Sequence, residues 1–332
     1  MIRRTILTLT LAIAGLFVSS TYAALKKVIV VTTTASFRHS SIPIARVTLA
    51  KLAESSGAFT IVEECQQPEI KVPVKPKKPN LKPDADEAAK KRHENELKKY
   101  EAEIAKWTPE MEAEVNAKQK ESEDAMSKAL EPLSPANLKA KGIDAVIFAN
   151  TTGMLPLPDR DGFIKWIEEG HGFIAMHSAS DTFHKFPGYL EMLQGEFETH
   201  RSQVPADLVA GDTKHPANAS IGETWDLKQE EVYLIKNQDR SKVRSLWFLR
   251  HDPNFKDKAG HFPVSWCRNA GKGRVFYTSL GHREDLWSDD PALPGRVNPV
   301  ETSKQYQAHI LGGIKWVLGL VDVSAEPNPD VK

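Results

Sequence analysis

Three histidines in this chain each follow a short apolar run. His39 comes shortly after Lys26 to Thr34, His177 closes the stretch that begins at Gly170, and His282 follows Gly273 to Ser279. An imidazole changes charge near neutral pH, so at the end of a strand it can accept a proton, donate one or ligate a metal. His200 and Glu231 come from segments expected to cap the same edge, and Asp181 lies just beyond His177. A carboxylate such as Asp181 or Glu231 can fix the tautomer of an imidazole, so a base, an acid and an orienting group are all available. His39, His177, His200 and His282 with a carboxylate would equally satisfy zinc or a similar divalent ion, although no pair of ligands at short metal spacing marks such a site. Ser178 is a weaker candidate nucleophile, because Gly-x-Ser-x-Gly is absent. Taken singly, each histidine is as well explained by a hydrogen bond to a turn; their comparable placement is what suggests a site.

The elements that must position these residues read as an open α/β sheet. Lys26 to Thr34 has the continuous β-branched apolarity of a strand buried on both faces. A polar loop carrying Arg38 and His39 then leads to Pro43, suited to the first turn of a helix whose apolar face (Ile44, Val47, Leu49, Leu52) stops near Gly57. Phe59 to Val62 resumes as a strand, which makes a βαβ beginning. Ile143 to Asn150 is a further buried strand, and Asp159 to Glu169 an amphipathic helix that delivers the chain to Gly170–Asp181. In such sheets the carboxyl ends of parallel strands converge on one ligand crevice, so His39, His177 and His282 are expected to meet. Later strands are expected at Val204 to Val209, Glu231 to Ile235 and Val243 to Arg250. A hairpin is expected around Ala270-Gly271-Lys272, and a closing helix over Gln305 to Leu320.

The 332 residues carry 44 Lys plus Arg against 44 Asp plus Glu, so no global field attracts nucleic acid or an anionic membrane. Residues 1–23 pair Arg3 and Arg4 with an apolar run, Ile6 to Val18, and then small residues. This reads as a cleavable signal peptide, too short for a membrane anchor, and implies a periplasmic or secreted protein. Export permits a disulfide between Cys65 and Cys267, while two buried strand cysteines explain them as simply. The main domain is placed at 24–322, with a flexible tail at 323–332. It is interrupted at 68–135 by a Pro- and Lys-rich stretch and then a Glu/Lys/Ala-rich run. Leu97, Tyr100, Ile104, Trp107, Met111 and Val115 give that run a narrow apolar seam, and Thr108-Pro109 splits it into a helical hairpin. Such a hairpin is either merely solvated or an arm for homo-oligomers.

The ordered series Phe37-Arg38-His39-Ser40-Ser41, Gly170 to Thr182, Phe197 with His200, His215-Pro216, Glu231 with Tyr233, Pro263 to Trp266, Gly271 to Tyr277 and Gly281-His282 resembles the ThuA-like, trehalose-utilisation family. The resemblance implies a flavodoxin-like three-layer α/β/α sandwich related to class I glutamine amidotransferases, and an association with sugar utilisation. Two positions depart from the family pattern. His171 stands where glycine is usual, and Glu230-Glu231 replaces an Asp-Glu pair. The amidotransferase relatives place a cysteine nucleophile where this chain has His177, so thiol-dependent glutamine hydrolysis is excluded on chemical grounds.

The expected function is therefore that of an exported acid/base hydrolase, lyase or isomerase acting on a glycoside or keto-glycoside. The alternatives are a carbohydrate-binding protein without catalysis and a metal-dependent hydrolase. His39, His177, Asp181, His200, Glu231 and His282 are the catalytic candidates, with Arg38, Ser178 and Trp287 expected to contact substrate. His184, His215, His251, His261 and His309 are assigned to surface or structural roles.

Overall fold

The computed structural model describes residues 25–81, 83–253 and 258–331; the signal peptide expected at 1–23 lies outside them. In chain order the elements are β1 (Lys26–Val31), α1 (Ile42–Ser56), β2 (Phe59–Cys65), α2 (Glu87–Ile104), α3 (Pro109–Ala129), α4 (Pro135–Lys141), β3 (Ala145–Ala149), α5 (Arg160–Glu168), β4 (Gly172–Met176) and α6 (Pro187–Leu193). There follow β5 (Glu196–Thr199), β6 (Val204–Ala210), β7 (Thr224–Glu230), β8 (Leu234–Lys236), β9 (Arg244–His251), β10 (Ala259–Ala270), β11 (Gly273–Thr278), α7 (Glu284–Trp287) and α8 (Val300–Val317).

The large sheet has the order β2-β1-β3-β4-β11-β10-β9-β6-β7. Its first five strands are parallel and the remainder pair antiparallel. Alternation along β1 explains its unbroken apolarity. Val28 and Val30 face one core with Leu49 of α1 and Ile310 and Ile314 of α8, while Ile29 and Val31 face a second core with Phe163 and Ile167 of α5. The helices are cut where the sequence indicates. Gly57 ends α1 in the left-handed region at φ 58°, and the Asp159 carboxylate caps α5 by accepting from the Gly162 N–H at 2.8 Å.

The two cysteines answer the disulfide question. Cys65 ends β2 in the second core, Cys267 lies in β10 in the first, and both are free and buried. Five inter-strand steps of about 4.8 Å separate the two strands, far beyond the reach of a disulfide. Burial pushes the Cys65 thiol up to about 12 and raises that of Cys267 as well.

Three local readings change. β7 was not anticipated, because its inward Trp225 and Leu227 alternate with outward Thr224, Asp226 and Lys228 in an otherwise polar stretch. The strand expected over Glu231 to Ile235 is confined to β8, which pairs with β5 in a separate small sheet and leaves Glu231 in the connection after β7. The tail expected to be flexible is hydrogen-bonded to the body. Asn328 accepts from the Ser245 N–H at 2.6 Å and donates to the Gly211 carbonyl at 3.0 Å, while the Trp316 indole donates to the Val323 carbonyl at 2.9 Å.

In the charged region Thr108 caps α3 and Pro109 occupies its first turn. No residue of α2 is buried and only Met126 of α3 is, so the pair stands largely on the surface. No helix among the described residues is long and apolar enough to cross a membrane.

Candidate active site

The carboxyl ends of β1, β3, β4 and β11 are laced together beneath the site. Ser41 donates to the Gly281 carbonyl at 3.0 Å, and Asn150 donates to both the Ser41 hydroxyl (2.9 Å) and the same carbonyl (3.0 Å). Ala35 N–H donates to the Thr152 carbonyl at 2.8 Å, which fastens the loop that carries His39. β4 ends in a sharp turn. His177 adopts φ 47°, a left-handed conformation uncommon for a non-glycine residue and frequent at functional turns. Its Nδ1 lies 2.7 Å from the Ser279 carbonyl, which can only accept, so Nδ1 carries the proton and Nε2 presents its lone pair.

That lone pair faces a cluster assembled from four distant segments. One ligand atom each from His39, His177, Glu231 and His282 lies within 4.8 Å of all the others. The His177 and His39 Nε2 atoms are 3.2 Å apart, His282 Nδ1 is 3.0 Å from Glu231 Oε2, and His177 Nε2 is 3.6 Å from the same oxygen. A tetrahedral zinc with bonds of about 2.0 to 2.1 Å requires ligand separations of roughly 3.3 to 3.4 Å, and these three separations straddle that value while all pairs lie within 4.8 Å. His39 Nδ1 is 3.2 Å from the Ser178 hydroxyl, leaving Nε2 toward the centre. Two imidazole nitrogens this close require a proton or a cation between them.

The electrostatics fit such a ligand set at three of its four members. Burial pulls His39 down to about 3, helped by the neighbouring His177 and His282, and burial also lowers His177. Burial raises the Glu231 carboxyl, but His177 and His282 outweigh it and hold the group well below the usual carboxylate range. His282 is opposed by burial and raised on balance by Glu231. His39 and His177 thus favour the neutral form and Glu231 the ionised form in which side chains bind metal, whereas His282 favours its protonated form beside Glu231 and would release that proton on binding an ion.

His200 joins from the edge, with Nδ1 2.9 Å from Glu231 Oε1 and its ring partly exposed. Tyr233 packs on the His177 ring with centroids 4.4 Å apart. Glu230 is a participant that the sequence reading passed over in favour of Glu231. Its buried carboxylate accepts from the backbone N–H groups of Gly281 (3.0 Å), His282 (2.7 Å) and Arg283 (3.3 Å), which sets the turn presenting His282. Burial raises it to about 7, against the pull of His282 and those amides. The adjacent acidic pair was the available signal, since one carboxylate can serve the ligand and the other the loop.

Three candidates lie elsewhere. Asp181 turns away from the cluster and contacts His184 Nε2 at 2.5 Å. Trp287 is fully buried, with its indole donating to the Gly281 carbonyl at 2.8 Å and its ring against Tyr306, so it supports the site from behind and offers no face to a substrate. Arg38 bends back to donate to the Thr32 carbonyl at 2.8 Å. Ser178 is buried against His39.

With this geometry established, comparison with known proteins gives the family. The family model for ThuA, trehalose utilisation, matches residues 86–317, and the chain belongs to that family. Membership associates it with sugar utilisation; the match includes His177, His200, Glu231 and His282 and begins after His39. Two solved structures are similar over nearly their whole length. One, from Parabacteroides merdae ATCC 43184 and described as ThuA-like, is 15% identical with a TM-score of 0.54, covering 93% of this chain and 99% of its own. The other, a ThuA-like protein from Bacteroides uniformis ATCC 8492, is 15% identical with a TM-score of 0.52, covering 95% and 99%. At such identity the likeness concerns the mixed α/β fold alone. No match was found among curated proteins.

Proposed function

We propose that this chain is a sugar-processing enzyme that holds a divalent cation with His39, His177, His282 and Glu231 and moves protons through His200. The convergence of four ligand atoms within 4.8 Å, drawn from four separate segments, carries this reading. A bound cation would polarise a sugar carbonyl or hydroxyl and lower the pKa of a coordinated water. His177 keeps its Nε2 aimed at the centre through the Ser279 carbonyl, and Ser178 does the same for His39. His200 is partly exposed and tied to Glu231, so it can exchange a proton with a substrate while remaining oriented.

The reaction class is hydrolysis, elimination or isomerisation of a glycoside or keto-glycoside. Export through a leader at 1–23 is part of the proposal, as is assignment to the flavodoxin-like three-layer class, which the parallel half-sheet with a core on each face supports. The test combines elemental analysis of the purified protein with turnover of a keto-glycoside panel by wild type and His177→Ala. Stoichiometric metal and turnover, both lost in the variant, are expected; a fully active His177→Ala protein defeats the proposal. The His282–Glu231 contact favours a second reading, metal-free acid/base chemistry in the same cluster. Turnover that survives exhaustive chelation selects it.

A further inference from the structure

Phe37 is the most exposed aromatic ring among the large exposed hydrophobics, at 63%, yet it is not a loose side chain. Its carbonyl accepts from the Thr152 hydroxyl at 2.7 Å, and its loop is pinned by the Ala35 N–H bond to the Thr152 carbonyl. The neighbouring loop approaches so closely that a Cβ on Gly153, at φ 74°, would lie 3.0 Å from the Ala35 carbonyl carbon and 3.1 Å from Ser36 N. This fastened ring meets His39 in a T-shaped contact, with centroids 4.8 Å apart and planes at 79°. A ring on a fastened backbone, open to solvent beside a buried histidine, is preorganised for a ligand with an apolar face.

We infer that Phe37 is a stacking platform for a pyranose ring, placing the sugar against the His39 side of the cluster. The inference rests on the sugar-processing reading and adds a specificity-determining residue to it. A pyranose offers hydroxyls to the polar site and C–H groups to the aromatic face, which is the combination that this edge supplies. A free monosaccharide and the terminal ring of a disaccharide share that chemistry, and the probes below separate them.

The experiment measures KM and kcat of wild type, Phe37→Ala, Phe37→Leu and Phe37→Trp on a keto-glycoside panel, with glucose and trehalose binding followed by calorimetry and metal content measured in each protein. Phe37→Ala is expected to raise KM roughly tenfold, with kcat within about twofold and metal content unchanged. Phe37→Trp should retain the wild-type KM, and Phe37→Leu should fall between them. Binding of trehalose but not glucose, weakened by Phe37→Ala, assigns the platform to a disaccharide ring, and weakened glucose binding assigns it to a single ring. An unchanged KM in Phe37→Ala overturns the platform while His177→Ala still reports on the proposed function. Loss of metal in Phe37→Ala also overturns it, by making the ring a shield for His39. A wild-type protein that neither binds nor turns over any sugar overturns both readings.

Discussion

Two clusters in this molecule join imidazoles to carboxylates, and they balance charge in opposite ways. Around Glu231, His39, His177, His200 and His282 share one carboxylate in a largely buried centre. Around His184, one imidazole lies between two carboxylates, with Nε2 2.5 Å from Asp181 and Nδ1 2.5 Å from Glu196, and Lys236 and Asn237 add further donors to Glu196. The second cluster contains its own cation when His184 is protonated and has no lone pair left to offer. In the first, His39 and His177 favour the neutral form and keep lone pairs to offer. Residue type is the same in both; the ratio of imidazole to carboxylate separates a site that can receive a positive ion from one that is already complete.

The largest expected effect comes from removing the carboxylate of the first cluster. Glu231→Gln should weaken zinc binding more than about 100-fold by competition with a chromophoric chelator, since it deletes a ligand and the anchor of His282 and His200 together. Retained affinity would mean that this cluster does not differ in kind from the second. Next, His200→Gln should lower kcat about 100-fold with metal content intact, because the group is placed to move protons beside the cluster. Equal loss of metal and turnover would instead make His200 a ligand.

The smallest effect concerns the second cluster and has a defined pH sense. Burial opposes protonation of His184, but Asp181 and Glu196 prevail and raise its pKa. Stability from this cluster is therefore fully present below the unfolded value of about 6.5 and is lost as pH rises through the higher folded value. His184→Gln should cost no more than about 1 kcal/mol in urea unfolding near pH 6, given the solvent access of these groups, and less at pH 9. Metal affinity of the first cluster should move the other way, falling as acid protonates the imidazoles. Parallel pH trends in the two measurements would erase the distinction between the clusters.

Much of the site could be read in the sequence because its logic is topological. Parallel strands bring their carboxyl ends together, so His39, His177 and His282 could be placed on one edge from the βα rhythm alone. Side-chain direction was not legible at the same level. Asp181 follows His177 in a 3-10 turn that points it toward His184, and Trp287 sits on a short helix whose indole is drawn inward by the Gly281 carbonyl. Phe37 looked like part of a loop, since nothing in its neighbours reveals that Thr152 would fix its backbone. β7 and the docked tail escaped for a related reason. Trp225 and Leu227 are too few to mark a strand, and Asn328 acts through single hydrogen bonds that leave no periodic pattern.

The distance along the chain between the cluster's members has a thermodynamic corollary. His39 leaves the first strand and His282 follows the last, so the unfolded chain has no preformed arrangement of these donors. Any ion bound there would act as a removable cross-link between the loops that follow β1 and β11, across the intervening β3 and β4. At a free concentration 100 times its dissociation constant, such an ion would add about 2.7 kcal/mol to the unfolding free energy. Occupancy of the centre would then set how long the folded protein survives, apart from any chemistry it performs.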